Sequence, residues 1–294
     1  MSCSLETTRK RKAEAAFLRK SANKRVIQDT LAQCQKDPAK SEVARSHVCM
    51  LPGHLQRESC TDLRGTGSIE VEICEEDCVV VAARCWQEGG TSVWLLNMAA
   101  ASTPGGGARS GCNAQEEHLC RCSNLLPHLE HAAAEGKYPL HRWYGEVPDF
   151  RILVHEKIEF FKHPRDYRTL RRQDRFEIGV LTAAAEKVRG ERKLGPNAER
   201  FIGWLLATAI MQGCTHLVLS AWGCGAFGQC PHAVAKCFQQ NFAKITHVKL
   251  KVIFAILDDH NSAGNLVAFQ SVFMTRGNPG TSESSDRSAR VNIS

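Results

Sequence analysis

Nowhere does the chain hold a run of about eighteen apolar residues, so no membrane-spanning helix is expected. The start is charged and no hydrophobic stretch follows it, which predicts no secretory signal and a cytoplasmic or nuclear location. No Gly-Lys-Ser/Thr closes a glycine loop, and no third glycine sits where a G-x-G-x-x-G fingerprint needs it. A P-loop enzyme and a dinucleotide-dependent oxidoreductase are thereby excluded. Internal repeats are also lacking. The 14 cysteines are scattered, several in stretches that read as buried strand or helix, so reduced thiols are expected rather than a disulfide framework.

What is present suits one α/β domain with short extensions: 294 residues, 43% of them hydrophobic, are enough for a buried core. The net charge of +7 is accounted for by Arg9-Lys10-Arg11-Lys12, Arg19-Lys20 and Lys24-Arg25. It describes the N-terminal extension, where a solvated helix face is favoured over a localisation or nucleic-acid patch. A helix is predicted from Arg9 to Gln35, and the mixed segment from Lys36 to Gly67 reads as mostly loop. Strands are predicted over Ile69–Ile73, Ser92–Leu96, Ile152–Phe160, Glu177–Thr182, His216–Ser220 and Val248–Leu257. Helices are predicted over Asp77–Gln87, Gln115–His131, Ala198–Gln212, Pro231–Phe242 and Asn261–Phe273. This alternation implies a sheet with helices on both faces. The tail from Asn278 has almost no hydrophobes and reads as disordered.

Two glycine-rich stretches carry the chemistry. The strand Val93–Leu96 ends at Asn97, and small residues lead into Gly105-Gly106-Gly107 just past its carboxyl end, where open α/β sheets bind ligands. Asn113 is expected to cap the next helix with Glu116 as its capping-box partner, which leaves Glu117 unexplained. Consecutive helical side chains diverge by about 100°, so Glu116 and Glu117 cannot straddle one bond as paired glycosidase carboxyls do; one acid with an anchoring neighbour is the expectation. The second stretch, Gly223-Cys224-Gly225-Ala226-Phe227-Gly228, follows a strand and precedes Pro231. Strand, glycine loop and helix suit a phosphate, with Phe227 either a core plug or a stacking surface. His118, Cys120, Cys122 and Cys112 do not converge as zinc ligands, and no metal is expected. Cys224 and Cys230 lack C-x-x-C spacing and read as thiols, while Arg165, Arg168, Arg171, Arg172 and Arg175 read as a solvated face before a polyanion contact.

Three glycines, then Gln115-Glu116-Glu117 seven residues on, then Trp222-Gly223-Cys224-Gly225-Ala226-Phe227-Gly228, together resemble microbial-type poly(ADP-ribose) glycohydrolase of the macrodomain superfamily. The likeness runs from about Arg25 to Thr275. It implies a three-layer α/β/α macrodomain-like mixed sheet with an N-terminal helical extension: extension 1–68, catalytic core 69–277, tail 278–294. By this resemblance Glu117 is the general acid for an α-1''-2' ribose–ribose bond and then the base for water, and Glu116 holds the adjacent ribose. The loop Gly223–Gly228 would carry the diphosphate, Phe227 would pack on the ligand, Gly105–Gly107 would wrap the scissile end, and Asn97 and Gln115 would stand at the rim. The implied partners are poly(ADP-ribose), ADP-ribose and ADP-ribosylated proteins, with no cofactor and a monomeric chain. Met98–Thr103 lacks the Phe and basic residue expected there, and Ser220 and Gln229 replace an expected Gly and Asn. The rival reading is a non-catalytic ADP-ribose reader, which has no need of Glu117.

Overall fold

The computed structural model of the chain describes residues 2–37, 47–50, 67–144, 147–258, 264–274 and 288–293. In chain order the elements are α1 (Ser2–Lys36), β1 (His47–Met50), β2 (Ser68–Cys74), α2 (Cys78–Gln87), β3 (Val93–Met98), α3 (Gln115–Cys122), α4 (Leu125–Ala134), β4 (His141–Tyr144) and β5 (Val147–Phe160). There follow β6 (Phe176–Ala183), α5 (Ala198–Met211), β7 (His216–Leu219), α6 (Pro231–Phe242), β8 (Lys249–Ala255), α7 (Asn265–Met274) and β9 (Ser288–Ile293).

One mixed sheet runs β1-β5-β6-β3-β7-β8-β2-β9, with β4 paired to β5. Its centre, β6-β3-β7-β8-β2, is parallel, and β5, β1, β9 and β4 are antiparallel additions. The parallel strands are buried on both faces, which is why they read as continuous apolar runs. Trp94, Leu96, Leu217, Leu219, Val252 and Phe254 face one core with α5, α6 and α7. Val93, Leu95, Val218 and Ile253 face the other with α2, α3, α4 and Ile27 of α1. The expected three-layer architecture is thus present.

Several boundaries differ from expectation. β1 lies inside the predicted loop Lys36–Gly67, the rest of which is largely outside the described residues. The tail expected to be disordered includes β9, which pairs antiparallel with β2 from Ile69↔Ile293 to Cys74↔Ser288. Nor is the N-terminal segment separate from the core: Asn23, Ile27, Thr30 and Cys34 of α1 are buried against it. The single helix predicted over Gln115–His131 is two. Ser123 is extended and pairs with Phe160, Asn124 exchanges hydrogen bonds with Glu159, and the Ser123 hydroxyl donates to Leu119 O at 2.8 Å. Short polar side chains offer the backbone a local alternative to helix, and the end of β5 makes use of it.

Candidate active site

Four parallel strands end along one edge of the sheet, and the segments that leave them bound a cleft of about 670 Å³. Asp77 and Cys78 follow β2, Met98 ends β3, Ser220 and Ala221 follow β7, and Ala255–Leu257 end β8. Cys112–Gln115 at the start of α3 form another wall, and Gly225 and Ala226 face them. A side cavity of about 110 Å³ lies beneath Phe227, between Trp222, Met98 and Gln115. This is the crevice outside the carboxyl ends of strands where open α/β sheets place ligands.

The glycine loop after β3 exists to let the backbone close over two carboxyls. Gly105 and Gly106 take φ of 69° and 55°, which side-chain-bearing residues rarely adopt. A Cβ on Gly106 would lie 2.6 Å from Glu117 Oε1 and 3.0 Å from Glu116 Oε2. Both acids therefore meet at one point, on the same side of anything held there. Their anchoring corrects the expected capping scheme. The N-cap is Ala114, not Asn113, and the residue three beyond it is Glu117: its carboxylate accepts from Ala114 N–H and from Gly107 N–H, each at 2.8 Å. Asn113 instead accepts from the buried Arg121 guanidinium at 2.7 Å, and Arg121 also donates to Cys112 O at 2.7 Å.

Glu116 points back to the end of β3. It accepts from Ala100 N–H at 2.7 Å, and the Asn97 amide approaches its other oxygen at 3.4 Å. Burial pushes its carboxyl up to about 8, against those two hydrogen bonds and with help from the neighbouring Glu117 charge. At neutral pH the deeper of the two acids carries a proton. Asn97, expected at the rim, is fully buried behind Glu116, and its amide oxygen has no partner among the described residues. Half a turn of that amide lets it accept from protonated Glu116. Gln115 lines both cavities, yet its amide is spent on the strand: it donates to Leu96 O at 2.6 Å and accepts from Met98 N–H at 2.9 Å.

Across the cleft, the second loop turns through Gly223 and Gly228, with φ of 82° and 73°. Cys224 N–H closes on Ala221 O, Gly228 N–H on Gly225 O and Gln229 N–H on Gly223 O. The N–H groups of Gly223, Gly225, Ala226 and Phe227 meet no acceptor among the described residues, so they remain available to an anion. Gln229, where the family pattern suggested Asn, braces the loop: it donates to Glu186 O at 2.9 Å and accepts from Gly195 N–H at 3.2 Å. Cys224 is buried with its thiol pushed up to about 12 by that burial, in keeping with a structural thiol. Phe227 is half-buried and lines the side cavity, with part of its side chain exposed and part packed on the core.

Three contributions were not foreseen. His118 Nε2 lies 3.0 Å from Asp77 Oδ2 and its Nδ1 2.9 Å from the Tyr167 hydroxyl, so both ring nitrogens are engaged. Burial would raise the Asp77 carboxyl, but His118 and the Val79 and Val80 N–H groups hold it below its ordinary value. Tyr167 adopts φ 56° and lies under Arg121, 5.2 Å from its ring centroid. The third is the basic extension itself, because Arg19 and Lys20 line the cleft. Only the acid ahead of α2 left a trace in the sequence, as an N-cap. The arginine cluster behaves as a solvated face: Arg168 pairs with Asp166, Arg171 with Asp174 and Arg175 with Glu159.

No helix among the described residues is long and apolar enough to cross a membrane. Comparison with solved structures finds poly(ADP-ribose) glycohydrolase (PARG) from Thermomonospora curvata bound to the inhibitor ADP-HPD, 25% identical over 86% of this chain and 100% of that chain, with a TM-score of 0.66. PARG from Deinococcus radiodurans in complex with ADP-ribose is 26% identical over 78% of this chain and 94% of that one, with a TM-score of 0.61. No curated protein matches. The family model described as microbial-type PARG, catalytic domain, matches residues 7–162. The chain therefore belongs to the microbial-type PARG catalytic-domain family and is a glycohydrolase.

Proposed function

We propose that the protein hydrolyses the α-1''-2' ribose–ribose bond of poly(ADP-ribose) and releases ADP-ribose, with Glu117 transferring the proton. One observation carries the reading: two carboxyls converge under Gly106 directly behind Ala114, which lines the cleft and to whose N–H Glu117 is bonded, while Gly225 and Ala226 face that wall with unused N–H groups. The diphosphate rests on Gly223, Gly225, Ala226 and Phe227, with the Phe227 ring against the ligand, and the terminal ribose reaches Gly105–Gly107. Glu116, pushed up by burial, carries a proton at neutral pH right beside Glu117. Glu117 is the outer member, at 7% exposure against 3%, and it is bonded to Ala114, which lines the cleft.

The proton passes from Glu117 to the departing ribose oxygen as the glycosidic bond breaks. Glu116 remains behind to hold the adjacent ribose, with Asn97 supporting it. Water then adds to the oxocarbenium-like carbon and gives its proton to ionised Glu117. Two carboxyls on one side of the bond suit this single acid and base better than flanking residues. A non-catalytic ADP-ribose reader would use the same N–H groups, but it gains nothing from a desolvated acid pair that costs stability.

The test incubates labelled polymer with the native chain and with Glu117→Gln, following released ADP-ribose and ADP-ribose affinity separately. Turnover is expected to vanish in the variant while affinity is kept. Equal release from both would overturn the role of Glu117, and binding without release by the native chain would establish the reader.

A further inference from the structure

Helix α1 has one face toward the domain, set by Asn23, Ile27, Thr30 and Cys34 at helical spacing. It is fixed there by specific contacts: the Thr30 hydroxyl donates to Arg121 O at 3.0 Å, and Asn23 donates to Gly111 O at 3.2 Å. The approach is close, since a Cβ on Gly111 would lie 2.2 Å from Lys20 O. One turn before Asn23 the same face carries Arg19 and Lys20, and two turns further back Lys12. At Arg19 and Lys20 the face no longer meets the core; it overhangs the cleft beside Cys112 and Asn113.

No acid neutralises these cations among the described residues. The two carboxylates that line the same cleft, Glu76 and Asp77, are held by Arg84 at 3.0 Å and His118 at 3.0 Å. Among the described residues Arg19 and Lys20 thus stand unpaired at the cleft, on the side of Cys112–Gln115, behind which Glu117 is bonded to Ala114, rather than on the loop Gly223–Gly228.

We propose that Arg19 and Lys20 form a phosphate subsite for the ADP-ribose unit on the far side of the scissile bond, so that the protein grips the polymer and not only its terminal unit. The inference rests on the reading under Proposed function. A bound terminal unit uses the N–H groups of the second loop and ends at Glu117. The remaining chain must leave past Ala114 and Asn113, and its next phosphates, two negative charges on one diphosphate, then meet two cations. Lys12, a further two turns along α1, continues the track outward.

The experiment compares the full native chain with Arg19→Glu/Lys20→Glu on poly(ADP-ribose), and measures ADP-ribose affinity in parallel. A second variant, Lys24→Glu/Arg25→Glu, makes the same charge change on exposed positions of α1 that do not line the cleft. Expected for the cleft variant are a kcat/KM on polymer lower by at least about tenfold, a salt dependence shallower by roughly one for each cation lost, and an unchanged ADP-ribose Kd. The control variant is expected to match the native chain. Because Arg19 and Lys20 are exposed, Arg19→Gln/Lys20→Gln keeps the test valid should charge reversal perturb α1, with the same direction expected. Native kcat/KM in the cleft variants, an equal loss in the control, or a matching loss of ADP-ribose affinity would overturn the subsite. Failure of the native chain to release ADP-ribose would instead overturn the hydrolase reading; the subsite then stands or falls on direct binding of polymer against ADP-ribose.

Discussion

Glu116→Gln should stabilise the fold at alkaline pH while impairing the enzyme. The carboxyl of Glu116 is raised from 4.5 to about 8, first by burial, so between those values the folded chain binds a proton that the unfolded chain has lost. Stability therefore falls as pH rises through that window and is flat above it. At about 1.4 kcal/mol for each pH unit, the accumulated cost from 4.5 to about 8 is about 5 kcal/mol. Glutamine is neutral throughout. Its carbonyl can still accept from Ala100 N–H, and its amide can donate to the Asn97 oxygen that otherwise lacks a partner. Urea unfolding of both chains at pH 5 and pH 9, at equal m, measures the difference. The variant should gain several kcal/mol relative to the native chain between the two pH values. Parallel profiles, within about 1 kcal/mol, would refute a buried acid protonated at neutrality.

Gly106→Ala should lower turnover by about a hundredfold or more with little change in ADP-ribose Kd, since the new Cβ would crowd Glu117 Oε1 at 2.6 Å at φ 55°, and small misplacements of reacting groups are costly. Near-native kcat would show that the loop does not set the carboxyls. A second set of buried groups predicts acid sensitivity: burial lowers His128 to about 4, helped by His131, and His155 to about 3, helped by His128, Lys137 and His47, and neither ring has a hydrogen-bond partner among the described residues. Below about 6.5 the unfolded chain takes up two protons that the fold refuses, a contribution of roughly 3 kcal/mol against the fold between pH 6.5 and 5 that runs opposite to the Glu116 contribution, so His128→Leu/His155→Phe should gain roughly 3 kcal/mol on the native chain between those pH values in urea titrations.

The sheet was legible where burial on both faces forces a composition. Val93–Met98, Phe176–Ala183 and Lys249–Ala255 match the predicted strands within about two residues, because parallel central strands have no polar face to confuse the pattern. Edge strands have no such constraint. β9 reads Ser-Ala-Arg-Val-Asn-Ile and pairs with β2 through its backbone, a ladder to which composition is nearly blind. The break at Ser123 and Asn124 was hidden for a related reason: the groups that favour it, on Glu159 and Phe160, lie some 35 residues away in sequence.

At the site, contiguous motifs were visible and assembled contacts were not. Gly105–Gly107, Glu116, Glu117 and Gly223–Gly228 could be singled out because each group is contiguous in the sequence, while Arg19, Asp77 and Tyr167 reach one cleft from three distant segments. The most instructive error is a single residue wide. Placing the cap at Asn113 would make Glu116 the backbone-bound acid and leave Glu117 free. With the cap at Ala114, Glu117 takes the capping bond and a second N–H, each at 2.8 Å, while Glu116 accepts from Ala100 N–H beyond the end of β3 and is driven neutral by burial. A one-position shift in a helix start thus decides which carboxyl caps the helix and which one turns back to the strand. Asn113 could not cap because Arg121, fully buried, takes its side-chain oxygen, and an unpaired guanidinium there would cost more than an empty cap.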